Sequence, residues 1–344
     1  MDIKYIIDSI LVPHSAFDHA IDKLEQCYAY APGASEPVCI ALIGESRTGK
    51  SRVIEEFCHR HPPTRLEQGL SIPILRVKTP SYPTVKGLVE LLLGAIGDPR
   101  FTTGTENAKT MRLKHLMQKV GTYMVVLDEF QHFFDKGSQM VMHQVADWLK
   151  ILADETRCAL VVAGLPTCRA VIDQNEQLAG RFAAPVIMPR LNWTVEVERQ
   201  EFLAILQAFD EVIAGVLDCP ALAAEEMAFR CFCTCGGLIG ILSKFLRQLV
   251  WNASTADRKA LTLKDLQEAH TQSIWSIQRD TPATGQSTPV MPNPFAQDFL
   301  KQYKRDELLL WAQSVGRPAP RPPKATKRAG KRSARGGYND AFGA

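Results

Sequence analysis

Short continuous apolar runs punctuate the chain at residues 38–43, 72–77, 123–127, 159–162 and 184–188. Runs of that length, without polar alternation, predict strands covered on both faces. Between them apolar positions recur at helical spacing. Residues 50–59 put Val53, Ile54 and Phe57 on one stripe, 84–96 make a longer helix with Pro83 fitting its first turn, and 108–120, 139–152 and a short stretch near 167–172 follow. Strand and helix signals in alternation predict an α/β class with a mainly parallel sheet. Beyond Trp193 the rhythm is purely helical, at 195–209, 222–231, 238–251 and 263–274. The organisation expected is an N-terminal helical extension (1–36), an α/β core (37–190), a helical lid (191–278) and a terminal region (279–344).

Composition narrows the class. A chain of 344 residues with 46% apolar and 22% charged residues is globular, long enough for one sizeable core and a smaller domain. No apolar stretch reaches membrane-spanning length, and the opening MDIKYIIDSILVPHS lacks the basic region and cleavage pattern of an export signal. The expectation is a cytoplasmic protein with no membrane partner. Nine cysteines without an export signal suggest reduced interior thiols. Cys231, Cys233 and Cys235 form a C-x-C-x-C cluster, which lacks the C-x-x-C zinc spacing and a nearby histidine.

The net charge of +3 is unevenly spread. From Arg317 onward eight lysines and arginines face the single acid Asp340. This tail follows a Pro/Ser/Thr-rich linker (279–294) and an expected short helix (295–315), and it has no hydrophobic period. Such a tail attracts phosphate polyanions by counterion release, or serves only to solubilise.

The chemistry begins at ALIGESRTGKSRVIEEF, residues 41–57. Gly44, Gly49, Lys50 and Ser51 complete G-x-x-x-x-G-K-[ST] between an expected strand and an expected helix. In that loop backbone N–H groups wrap phosphates, Lys50 reaches the β and γ oxygens of ATP, and Ser51 ligates Mg2+. Glu45, Ser46, Arg47, Thr48 and Arg52 fill out the loop and its helix start, whose dipole also favours an anion. The second element is YMVVLDEF, residues 123–130, an apolar strand ending in two acids. Asp128 would hold the Mg2+ shell and Glu129 would polarise the attacking water.

The phosphate loop, VVLDEFQHFF and VVAGLPTCRAVIDQNEQLAGRF (161–182), in that order, resemble the TniB/TnsC-type AAA+ ATPases, which regulate Tn7-like transposition. The resemblance spans about 38–274 and is strongest over its first two thirds. It implies an AAA+ P-loop NTPase with a five-stranded parallel sheet of order 5-1-4-3-2 and a C-terminal helical lid. It also implies a ring or filament of identical subunits on duplex DNA, partnered by a TniQ-type adapter and a transposase. Arg181 matches the place of the arginine finger, a guanidinium that would complete a neighbour's ATP site.

Two positions depart from the family's pattern. Leu165 stands where a small polar sensor is usual, with Thr167 as substitute, and Ile241 stands where a sensor arginine is frequent, leaving Lys244 or Arg247. Slow turnover follows as an expectation, with ATP acting as assembly ligand and its hydrolysis as a disassembly timer. By the same resemblance Lys78, Lys86, Thr105 and Lys109 would face DNA phosphates without reading bases, the alternative for each lysine being a solvated face. A replication initiator or helicase loader would use the same nucleotide site, but it usually carries a winged-helix DNA reader after the lid. A scaffold that does not hydrolyse would not need Lys50, Asp128 and Glu129 together.

Overall fold

The structure is a computed structural model that describes residues 3–12, 14–67, 69–80, 83–274 and 291–316. Helix α1 (Ser15–Tyr30) precedes strand β1 (Cys39–Gly44), the phosphate loop and helix α2 (Lys50–Arg60). Strand β2 (Ile74–Lys78), helices α3 (Val85–Ile96) and α4 (Glu106–Lys119) and strand β3 (Met124–Asp128) come next. Helix α5 (Gln139–Thr156), strand β4 (Ala159–Gly164) and strand β5 (Val186–Met188) complete the core. Threonine or serine hydroxyls cap α3, α4 and α5: Thr84 accepts from the Gly87 N–H, Thr105 from that of Ala108 and Ser138 from that of Val141.

All five strands are parallel, in the order β2-β3-β4-β1-β5. This is the expected 5-1-4-3-2 read from the other edge. In register, Lys78 lies beside Asp128, Met124 beside Ala159, and Ile43 beside Gly164. Because the strands are parallel, the carboxyl ends of β1, β3 and β4 open on one edge, where α/β folds place ligands. Alternate residues serve two cores. Ile40, Leu42, Val126 and Val161 pack with Phe17, Leu24, Ile54 and Phe57 of α1 and α2. Ala41, Val125, Leu127, Leu160 and Val162 pack with Leu88, Leu92, Leu113 and Leu149 of α3 to α5. With both faces covered, each strand reads as a continuous apolar run. A small antiparallel hairpin, Thr64–Leu66 with Gly69–Ser71, precedes β2. Its strands are mostly exposed, so no core-facing pattern announced it.

A third core holds helices α6 (Glu196–Ala214), α7 (Glu225–Cys235), α8 (Ile239–Thr255) and α9 (Leu263–Ser273). Segments near both ends of the described residues join it. Ile7 is buried there with Ile3, Ile6 and Ile10 against it, and so are Phe295, Phe299 and Leu308 from the far end. Phe295 stacks on Phe245 with ring centroids 5.0 Å apart, and burying such a ring contributes roughly 2 kcal/mol. The single helix expected over 295–315 is two pieces, Phe299–Gln302 and α10 (Arg305–Ala312). The linker up to residue 290 and the basic tail lie outside the described residues. Cys231, Cys233 and Cys235 are buried along α7, and burial pushes the Cys235 thiol up to about 12. Among the described residues no single helix is long and apolar enough to cross a membrane.

Candidate nucleotide-binding site

The loop between β1 and α2 is shaped by two left-handed residues, Gly49 (φ 99°) and Arg47 (φ 70°). A Cβ on Gly44 would lie 2.4 Å from the Met188 carbonyl oxygen and 2.8 Å from Thr48 Oγ1, so only glycine lets β5 pass this closely. Thr48 Oγ1 donates to the Glu45 carbonyl at 2.9 Å, tying the loop across its own mouth. Lys50 Nζ donates to the carbonyls of Gly44 (2.8 Å) and Glu45 (2.7 Å). Burial lowers the Lys50 pKa, against the opposing pull of Glu129 and Asp128. A desolvated ammonium held by two neutral carbonyls is suited to exchange them for phosphate oxygens.

Ser51 Oγ donates to Asp128 Oδ2 at 3.0 Å, joining the first turn of α2 to the end of β3 across 77 residues of sequence. Asp128 is buried, and Arg76 on β2 lies 3.6 Å from the same oxygen. This hydroxyl and carboxylate are hard oxygen donors of the kind Mg2+ takes, so Ser51 and Asp128 would hold it. There it would neutralise charge on the phosphates. Glu129 is left-handed (φ 57°), and its N–H donates to Asp128 Oδ1 at 2.9 Å. The left-handed backbone takes Glu129 out of the line of β3. Thr167, in the turn after β4, has a buried hydroxyl without a hydrogen-bond partner, as does Thr79 at the end of β2. Orphaned hydroxyls at this edge fit a ligand rich in acceptor oxygens.

The lid touches the loop directly. Gly240 N–H in α8 donates to the Arg47 carbonyl at 2.9 Å, and a Cβ on Gly240 would lie 2.9 Å from that oxygen. Lys244, one helical turn on, is half-buried on the same side of α8. Arg247 instead pairs with Asp8, whose carbonyl lies 3.5 Å from Arg52 Nη2. The Arg52 side chain therefore turns toward the N-terminal segment. Ile241 packs in the lid core, and a Cβ on Gly316 would meet it at 3.1 Å. Ser46 is exposed at the loop's tip. Sequence reasoning missed Arg190, just past β5. Its guanidinium donates to Glu45 Oε2 (2.7 Å), the Gly236 carbonyl (2.8 Å) and the Val315 carbonyl (2.8 Å). No local pattern could have marked it, because its partners come from three distant segments.

The profile of the family described as bacterial TniB protein matches residues 2–192, more than half of the chain. The chain belongs to the TniB family. No curated protein matches it. Among solved structures it is similar to the ORC2 protein of Aeropyrum pernix, in ADPNP and ADP complexes, with TM-score 0.56 and 14% identity over 79% of this chain and 72% of that one. It is also similar to Cdc6p of Pyrobaculum aerophilum, with TM-score 0.57 and 14% identity over 80% and 72%. The ORC1 protein of Aeropyrum pernix in complex with DNA follows, with TM-score 0.52 and 15% identity over 78% and 69%. At that identity the likeness establishes the AAA+ P-loop fold. With its complete phosphate loop and paired acids, this TniB-family chain is an ATPase.

The remaining expected residues of the TniB chain divide. Arg181 sits beside the start of β1, where its carbonyl accepts from Cys39 N–H at 3.1 Å. It is separated from its own phosphate loop by the length of that strand, about 17 Å. Its Nη2 pairs with Asp154 at 2.6 Å and its Nη1 is buried without a partner. Lys78 and Lys86 are exposed, and Thr105 is exposed while capping α4. Lys109 overturns the expectation of a DNA contact. It is fully buried and paired with Glu90 of α3, so it holds α3 to α4.

Proposed function

We propose that the protein is an ATP-dependent regulator of DNA transposition in the cytoplasm, assembling as a ring or filament on duplex DNA. The observation that carries the reading is Ser51 bonded to Asp128 beside a desolvated Lys50, in a chain of the TniB family. Lys50 and the loop amides of residues 45–51 grip the β- and γ-phosphates, and Ser51 and Asp128 hold Mg2+. Glu129 takes a proton from the water that attacks the γ-phosphorus. The bond from that phosphorus to the β,γ-bridging oxygen breaks, leaving ADP and phosphate. Thr167 and Lys244 sense the γ-phosphate from the sheet and from the lid.

Arg181 cannot reach its own loop, so its role is in trans. On assembly it exchanges Asp154 for a neighbour's γ-phosphate, which makes hydrolysis depend on oligomerisation. Lys78, Lys86 and Thr105 line the DNA-facing side and bond phosphate oxygens without sequence preference. Target choice then falls to a TniQ-type adapter, and strand transfer to the recruited transposase.

Electron microscopy of the protein with duplex DNA, with and without a slowly hydrolysed ATP analogue, tests this. Rings or filaments should require both ligands, Glu129→Gln should trap them with ATP, and Arg181→Ala should remove DNA-stimulated hydrolysis. A protein indifferent to ATP in both assembly and DNA binding overturns the reading.

A further inference from the structure

Gln131 lies two residues beyond Glu129 and is only 5% exposed, which for an amide requires partners at both ends. Its Oε1 accepts from the Leu165 N–H at 3.2 Å, with the Cys168 thiol 4.0 Å away. Leu165 N–H can only donate, so the other end of the amide must be the NH2 group, and Nε2 donates to Glu129 Oε2. One side chain thus spans from the turn after β4 to the carboxylate of Glu129. That turn also carries Thr167, with its unpartnered hydroxyl. Gly164 leaves the amide its room: a Cβ there would lie 2.2 Å from Gln131 Oε1 and 2.6 Å from Cys168 Sγ.

We propose that Gln131 is a positioning residue for ATP hydrolysis, setting the carboxylate of Glu129 according to the state of the turn after β4. The inference rests on Glu129 being the residue that activates water. The terminal torsion of a glutamate is broad and settles only where a partner holds it. With Oε2 engaged by the amide, Oε1 is the oxygen left to receive a proton. The carboxylate already sits on a left-handed backbone, which is unfavourable for a residue other than glycine and persists only where neighbours fix it. When Thr167 engages a phosphate oxygen, the Leu165 N–H moves with it, and the amide carries that displacement to Glu129. Gln131 exchanges no proton itself.

The test uses the full chain with duplex DNA and measures kcat and KM for ATP, the Kd of a fluorescent ATP analogue and the thermal midpoint. Gln131→Glu keeps an acceptor for Leu165 N–H and replaces the amide donor with a second carboxyl, which shares a proton with Glu129 and takes it out of service as a base. Gly164→Ala displaces the amide without changing its chemistry. Both should lower kcat by roughly ten- to a hundredfold, the range expected for a misplaced catalytic group, with Kd unchanged; the thermal midpoint should fall as well, because the Gly164→Ala Cβ overpacks Gln131 and Cys168 and Gln131→Glu buries a carboxyl. Gln131→Met and Thr167→Val should not combine multiplicatively in kcat, because they interrupt one connection. If Glu129→Gln is inactive while Gln131→Glu and Gly164→Ala turn over normally, the role of Gln131 falls alone. If kcat, Kd and thermal midpoint drop together, Gln131 only supports the fold, and the proposal is equally overturned. Hydrolysis that survives Glu129→Gln removes the assignment of the base and this inference with it.

Discussion

Replacing Arg190 with methionine keeps the apolar stem of the side chain and removes a guanidinium that is only about one-tenth exposed. Two carbonyls then lose their donor, those of Gly236 and Val315, each bonded at 2.8 Å. The Ala312 carbonyl, at 3.4 Å, adds little. Glu45 is about one-third exposed and regains water, so its ion pair is discounted. Two half-buried acceptors that lose a charged donor cost about 3 kcal/mol together. Because Gly236 and Val315 belong to different segments, the loss should appear where residues 305–316 dock on the lid. Hydrogen exchange at the amides of α10 should accelerate by roughly a hundredfold, the equivalent of that free energy. Exchange in β3 and β4 should stay as it was. Unchanged protection of α10 would refute the reasoning, and so would acceleration spread evenly over the sheet.

The buried pair of Lys109 and Glu90 should be asymmetric. Glu90→Ala leaves a fully buried ammonium alone and should cost about 3–5 kcal/mol in chemical denaturation, while Lys109→Met leaves a partly solvated carboxylate and should cost less. In DNA binding Lys78→Ala should flatten the salt dependence by about one phosphate contact, while Lys109→Met should leave it unaltered. Burial pushes the His270 imidazole down to about 4 from 6.5, so the unfolded chain binds the extra proton between those values. Stability from this group is present above pH 6.5 and lost as pH falls toward 4, by about 3 kcal/mol in all. His270→Leu should remove that slope from urea midpoints measured across the window. Gly240→Ala forces a Cβ against the Arg47 carbonyl and should weaken ATP-analogue binding by about tenfold, the penalty of one overpacked contact.

The sheet was legible in the sequence because strands buried on both faces cannot hide their composition, and the phosphate loop because its glycines and lysine must fall at fixed spacing. Lys109 was misread although the signal was present. Lys109, Leu113 and Met117 fall four residues apart, on the face of α4 that turns inward. A lysine's charge points to solvent or phosphate, but its place on this helix points to the core. Gln131 stood inside a recognised motif, but its importance depends on Leu165, reached only after a strand and a helix have folded between them. Arg190 and Gly240 depend in the same way on contacts across distant segments. Such contacts leave no local periodicity to read.

Among the described residues, core and lid are joined at two places. The connection after β5 is the first, at Arg190 and Leu191. The second is the stretch between Ile10, which packs with the lid, and α1, which packs on the sheet and whose Ser15 N–H donates to Glu201 of α6 at 2.5 Å. A body held at a single point can tumble in any direction, whereas one held at two can only turn about the line joining them. Two passages leave the lid fewer ways to move against the sheet than one would, which keeps Gly240 beside the Arg47 carbonyl and Lys244 one turn beyond it.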